Sequence, residues 1–130
     1  MDYMPWKNEY TVNNDEMDKQ HQVLVGMINQ LHEAMRSGKG KTETSLIVKQ
    51  MIEYSAFHFK AEETLMKNIN FSKFNEHKKE HQAFMDKTYD FQKQLDSGAI
   101  TISLDIASFL KNWLTDHILV NDKAYSTLLK

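Results

Sequence analysis

The sequence predicts an all-α fold, an up-down-up-down four-helix bundle preceded by a short N-terminal arm. Three observations carry that expectation. The chain of 130 residues has one proline, Pro5, so nothing beyond it bars long helices. Three of its four glycines fall in the short breaks RSGKGK at 36–41 and DSGAI at 96–100, and another break, NINFSKFN at 68–75, is rich in Asn and Ser. Between the breaks, apolar residues recur at i, i+3, i+4 spacing, and no stretch alternates as a strand would.

The elements follow in order. Residues 1–13 form the arm, and 14–130 the bundle, within one domain spanning 1–130. The first helix runs from about Asn14 to Ser37, with Met17, His21, Leu24, Ile28, Leu31 and Met35 on one face. The second, from about Thr42 to Lys67, carries Leu46, Ile47, Met51, Phe57, Leu65 and Met66. The third opens near Ser72, read as its N-cap, and ends before Gly98. The fourth starts near Ser103 and carries Leu104, Phe109, Leu110, Trp113, Leu114 and Ile118. Four such helices with short connections stack as an antiparallel bundle. Most of the eight methionines lie on these apolar faces and read as core filler rather than ligands.

Composition excludes several functions. With 26% charged and 41% hydrophobic residues, the chain is that of an ordinary globular protein. A net charge of −2 gives no reason to expect nucleic acid or an anionic membrane as partner. The absence of cysteine removes disulfides, thiolate metal sites and iron–sulfur clusters. The N-terminus MDYMPWKNEY has neither a basic n-region nor an apolar h-region, and no stretch reaches the length of a membrane span. The expected compartment is the cytoplasm, and the expected state a monomer.

The histidines direct the functional reading. In HFKAEETLM at 58–66, His58 and Glu62 stand four residues apart on one helical face. Alone, such a pair is usually a hydrogen-bonded core histidine or a solvated face. In an antiparallel bundle, however, His21 early in helix one, His58 late in helix two, His77 and His81 early in helix three and His117 late in helix four all fall at one end. His32 shares roughly the face of His21 but sits about 16 Å further along the axis, and reads as structural.

Five imidazoles with Glu62 and Asp122 are too many for one tetrahedral zinc. Imidazole and carboxylate donors without sulfur suit iron, manganese or zinc. Two octahedral metals offer twelve positions. Five histidines, two bridging carboxylates and one bridging oxo or hydroxo group fill eleven, which leaves one vacancy for a small ligand. His117 and Asp122 are five residues apart, about 140° around a regular α-helix, so reaching one centre requires a π-bulge, a kink or fraying between them.

These residues resemble those of the hemerythrins, and most closely the single-domain bacteriohemerythrins. The likeness spans nearly the whole chain: Trp6, MDKQH at 17–21, HFKAEETLM at 58–66, HKKEHQAF at 77–84 and WLTDHILVNDKAY at 113–125. It implies a non-haem di-iron centre that binds dioxygen reversibly and is not an enzyme, with possible delivery to an oxygen-using enzyme. His77, His81 and His117 would hold one iron and His21 and His58 the other, with Glu62, Asp122 and an oxo or hydroxo group bridging. Met17, where many relatives carry a branched aliphatic residue, would affect packing only.

The residues themselves agree with that implication. No Glu-x-x-His motif of the ferritin-like di-iron proteins occurs, and neutral histidines leave less negative charge to support high-valent iron. Leu24, Phe59, Trp113, Leu114 and Ile118 are the expected apolar walls of a dioxygen pocket. Tyr54, one turn before His58 on its face, has a hydroxyl within reach of the pocket, although a core tyrosine bonded elsewhere is the commoner case and the expected one. An enzyme acting on peroxide or nitric oxide at the same centre is the alternative function.

Overall fold

The computed structural model describes residues 3–38, 41–97 and 104–129. Among them there is no strand, and four helices dominate: α1 (Asp15–Arg36), α2 (Lys41–Asn68), α3 (Phe74–Ser97) and α4 (Leu104–Asp116). A π-helical turn (His117–Asp122) continues α4 and leads into a short α5 (Lys123–Ser126). Lys39 and Gly40 in the first break, the DSGAI break from Gly98 onward and the expected start near Ser103 lie outside the described residues.

Local chemistry sets the helix ends. The Asn14 side chain accepts from the Met17 N–H at 2.9 Å, and Asp15, Glu16 and Asp18 follow where the N-terminal dipole favours acids. Gly38, at φ 71°, ends α1 in the left-handed conformation that costs glycine least. Asn70, at φ 55°, does the same for α2: its N–H bonds to Lys67, and the Phe71 N–H reaches the Met66 carbonyl at 3.0 Å. The chain then turns again, the Phe74 N–H bonding to Phe71, so Ser72 lies within a turn rather than capping α3. The first α3 bond runs from His77 N–H to the Lys73 carbonyl at 3.0 Å.

The helices pack α1 on α2 and α4, and α2 on α3, while rings join α3 to α4: Phe84 to Trp113 at 4.4 Å and Phe91 to Phe109 at 5.7 Å. On α2 the buried stripe is Thr44, Ile47, Val48, Met51, Ile52, Ser55, His58, Phe59, Glu62 and Met66. Leu46 and Phe57, expected on that face, are instead 53% and 57% exposed. Phe57 is displaced by about 100° from His58, so burying His58 and Glu62 turns Phe57 outward.

The arm is tied down at two levels. Both the N–H and the carbonyl of Met4 bond to the Asn29 amide, at 2.6 and 3.0 Å, and Tyr3 stacks on His32 with ring centroids 3.9 Å apart. His32 is therefore a packing residue remote from the other five histidines, as its position along α1 implies. Val12 is buried beside the start of α1, its N–H donating to Asp18.

Candidate metal centre

All seven expected ligands meet at one end of the bundle, each 2% exposed or less. Their spacing follows from the helices. His58 and Glu62, and likewise His77 and His81, are one turn apart and point the same way. His117 and Asp122 share one face because the turn between them is π-helical, with the Lys123 N–H bonding back five residues to the Ile118 carbonyl. The wide turn costs regular hydrogen bonding and resolves the 140° mismatch.

The donor atoms form two groups. In the first, His117 Nε2 lies 3.0 Å from His77 Nε2 and 3.1 Å from His81 Nε2. Glu62 Oε1 is 3.0 and 2.9 Å from the nitrogens of His77 and His81, and 3.7 Å from that of His117. Asp122 Oδ1 is 2.9 Å from His77 and 3.1 Å from His117. In the second, His21 Nε2 lies 3.0 Å from Asp122 Oδ2 and 3.4 Å from Glu62 Oε2, which is 3.5 Å from His58 Nε2. Each carboxylate thus divides its two oxygens between the groups.

These separations can be set beside those that a bound cation imposes on its ligands. With metal–ligand bonds of about 2.1 Å, an octahedron has cis donors about 3.0 Å apart, whereas a tetrahedron places them about 3.4 Å apart. Six of the seven separations in the first group are 2.9–3.1 Å, which is the octahedral value and equally that of direct hydrogen-bond contact. Glu62 to His117, at 3.7 Å, is longer than either geometry gives.

Burial and charge indicate what the groups lack. Both oxygens of Asp122 and both ring nitrogens of His21 are buried, and the close contacts of Asp122 with His21, His77 and His117 are too poorly aligned to count as regular hydrogen bonds. Two buried carboxylates side by side require cations. Without metal, protons serve: burial opposes charge on His21 and His117, but Asp122 and Glu62 outweigh it and raise them to about 9 and about 10. Burial and the Glu62 charge favour the acid form of Asp122, yet His117 and His21 hold it below the usual carboxylate range. His58 moves the other way, pushed down by burial. The donor set fits a pair of N/O-ligated cations, which would replace those protons.

Three polar residues that the sequence reading did not single out touch the cluster. Tyr125 donates its hydroxyl to Glu62 Oε2 at 2.9 Å, and burial followed by the Glu62 and Asp122 charges raises its pKa, keeping it a phenol. Gln20 and Glu63 face the outer nitrogens of His58 and His81. Each of these two is the sequence neighbour of a ligand, and that adjacency on its own does not say which side chain it meets.

Beside the site lies a small apolar cavity whose lining includes Leu24, Phe59, Trp113 and Leu114, with about 10 Å³ open to the centre of a water-sized molecule. Four of the five residues expected as walls thus line this cavity. Ile118 is not among the lining residues; it is buried within the π-turn, beyond His117, while the cavity lies on the Leu110–Leu114 side. Tyr54 does not line it either: its ring lies beside Phe57, and its phenol is raised by partial burial and then by Glu16. The hydroxyl in the lining is that of Ser55, fully buried and without a partner. An unsatisfied buried hydroxyl costs about 1–3 kcal/mol, so Ser55→Ala is expected to raise stability by about 1 kcal/mol in denaturant unfolding. A clear loss of stability would mean that the hydroxyl has a partner.

Comparison with known proteins agrees with this arrangement. The family model for the hemerythrin HHE cation binding domain matches residues 12–129. The bacteriohemerythrin of Methylococcus capsulatus is 32% identical over 99% of this chain and 98% of its own length, and that of Pseudomonas aeruginosa 28% identical over 96% and 80%. A wild-type hemerythrin crystal structure superposes with a TM-score of 0.91 at 32% identity, covering 98% of both chains, and a leucine-to-alanine variant of a hemerythrin with 0.93. The chain belongs to the hemerythrin family.

Proposed function

We propose that this protein binds dioxygen reversibly at a di-iron centre. His77, His81 and His117 would hold one iron and His21 and His58 the other, with Glu62 and Asp122 each offering an oxygen to both. The observation that carries the reading is the division of both carboxylates between two imidazole groups beside an apolar cavity. When bound, the iron pair supplies electrons and an open coordination position. The chain does the rest. Tyr125 and the two carboxylates hold the centre together, the π-turn aims His117 and Asp122 inward, and Leu24, Phe59, Trp113 and Leu114 restrict water beside it.

The test is an absorption spectrum of iron-loaded, anaerobically reduced protein before and after air. A near-colourless form that turns reversibly red-purple is expected. Steady consumption of oxygen, peroxide or nitric oxide would establish the enzymatic alternative instead. The apolar cavity disfavours that alternative, because its lining holds no acid, base or charged anchor.

A further inference from the structure

The outer nitrogens of the ligand histidines are treated unequally, and the pattern differs between the two halves of the centre. His81 Nδ1 lies 2.9 Å from Glu63 Oε2, a carboxylate that can only accept, so this nitrogen carries the proton and Nε2 presents its lone pair inward. Glu63 is 22% exposed and borders a surface groove shared with Lys60 and Lys78. His58 Nδ1 lies 2.7 Å from the amide oxygen of Gln20, itself 3% exposed. That amide has no freedom to flip, because its Nε2 donates to Glu16 Oε1 at 3.0 Å. His58 is therefore also held with Nδ1 protonated and Nε2 free. By contrast, Nδ1 of His21 and of His117 has no hydrogen-bond partner.

We propose that Glu63 and Gln20 are positioning residues that make the two metal positions inequivalent: a carboxylate behind His81 in the three-histidine half, a neutral amide behind His58 in the two-histidine half. The inference rests on the ligand reading above. A charge-assisted hydrogen bond is roughly twice as strong as a neutral one and leaves the imidazole a better donor to a cation. Glu63 thus strengthens the half that already has more nitrogen ligands. Gln20 orients His58 without adding charge where the exogenous ligand would bind.

The test titrates metal-free protein with Co²⁺, followed by its visible absorption and by competition with a chromophoric chelator. Wild type is compared with Glu63→Ala, Glu63→Gln and Gln20→Ala, each first shown by circular dichroism to be folded. Wild type is expected to take two ions, one more tightly. Removing an outer partner of a ligand histidine typically costs about 10–100-fold in affinity, so Glu63→Ala weakens the tighter step by that factor and Gln20→Ala the weaker step. Glu63→Gln restores an acceptor without charge and recovers only part of the loss. In zinc-loaded protein, the His81 Nδ1 proton resonance is expected downfield of that of His58, moving upfield in Glu63→Gln and broadening by exchange in Glu63→Ala. Full recovery of affinity by Glu63→Gln, or unaltered affinities in both alanine variants, overturns the proposal. A wild type that binds no second Co²⁺ would instead fail the ligand reading itself.

Discussion

Stripping the metal lowers the melting temperature, and the gap between loaded and stripped protein widens as pH rises from 7 towards 10. The bundle end holds five imidazoles and two carboxylates, all buried. In the stripped protein, protons on His21 and His117, whose pKa values are raised to about 9 and about 10, neutralise Asp122 and Glu62. A histidine with a raised folded-state pKa contributes stability that is fully present below its unfolded value of about 6.5 and is lost as pH climbs through the folded value. The stripped form therefore loses this contribution between about pH 7 and pH 10. In the loaded form the same imidazoles are neutral ligands and have no such proton to lose. Metal at a thousandfold excess over its Kd adds about 4 kcal/mol, which in a chain of this size moves the transition by on the order of 10 °C or more. Scanning calorimetry on chelated and reconstituted samples at pH 7, 8.5 and 9.5 checks both statements. Equal melting temperatures, or a gap that narrows with pH, would show that the site is not a metal site coupled to folding.

Replacing Leu114 by alanine leaves the iron content unchanged, yet the oxygenated protein decays faster. Leu114 is 4% exposed, lines the cavity and stands three residues before His117 on the last turns of α4. It contributes no donor atom. Its removal costs about 2–5 kcal/mol of stability and enlarges a cavity that now has room for about one water. Loss of the reversible state needs a proton and favours release of an anion, both of which a dry apolar wall opposes. A decay about tenfold faster, equivalent to about 1.4 kcal/mol on the barrier, is the expected scale. Stopped-flow oxygenation followed by decay of the oxygen-dependent absorption band, with iron measured in the same samples, provides the test. An unchanged decay with iron retained would mean that Leu114 does not guard the site.

The sequence by itself determined the four helices and the meeting of seven polar residues at one end. Helical spacing is a local property, and antiparallel order converts positions along the chain into positions along one axis. A departure from regular helix was legible too, because residues five apart, as His117 and Asp122 are, do not share a face in a regular helix. That it is a π-turn rather than a kink or fraying was decided by the structure. What only the tertiary structure decided lies about 100° away from each ligand. Gln20 precedes His21 and Glu63 follows Glu62, so neither shares its neighbour's direction, and each instead meets a histidine of another helix. Tyr125 reaches Glu62 only because α5 continues beyond the wide turn. A one-residue step from His58 likewise turned Phe57 to solvent, while Ser55, a residue without ligand chemistry on the buried stripe, faces the cavity with nothing to bond. Periodicity assigns each residue a direction on its own helix, but which partner waits in that direction depends on how neighbouring helices are rotated and offset, and those are set by packing across the whole bundle.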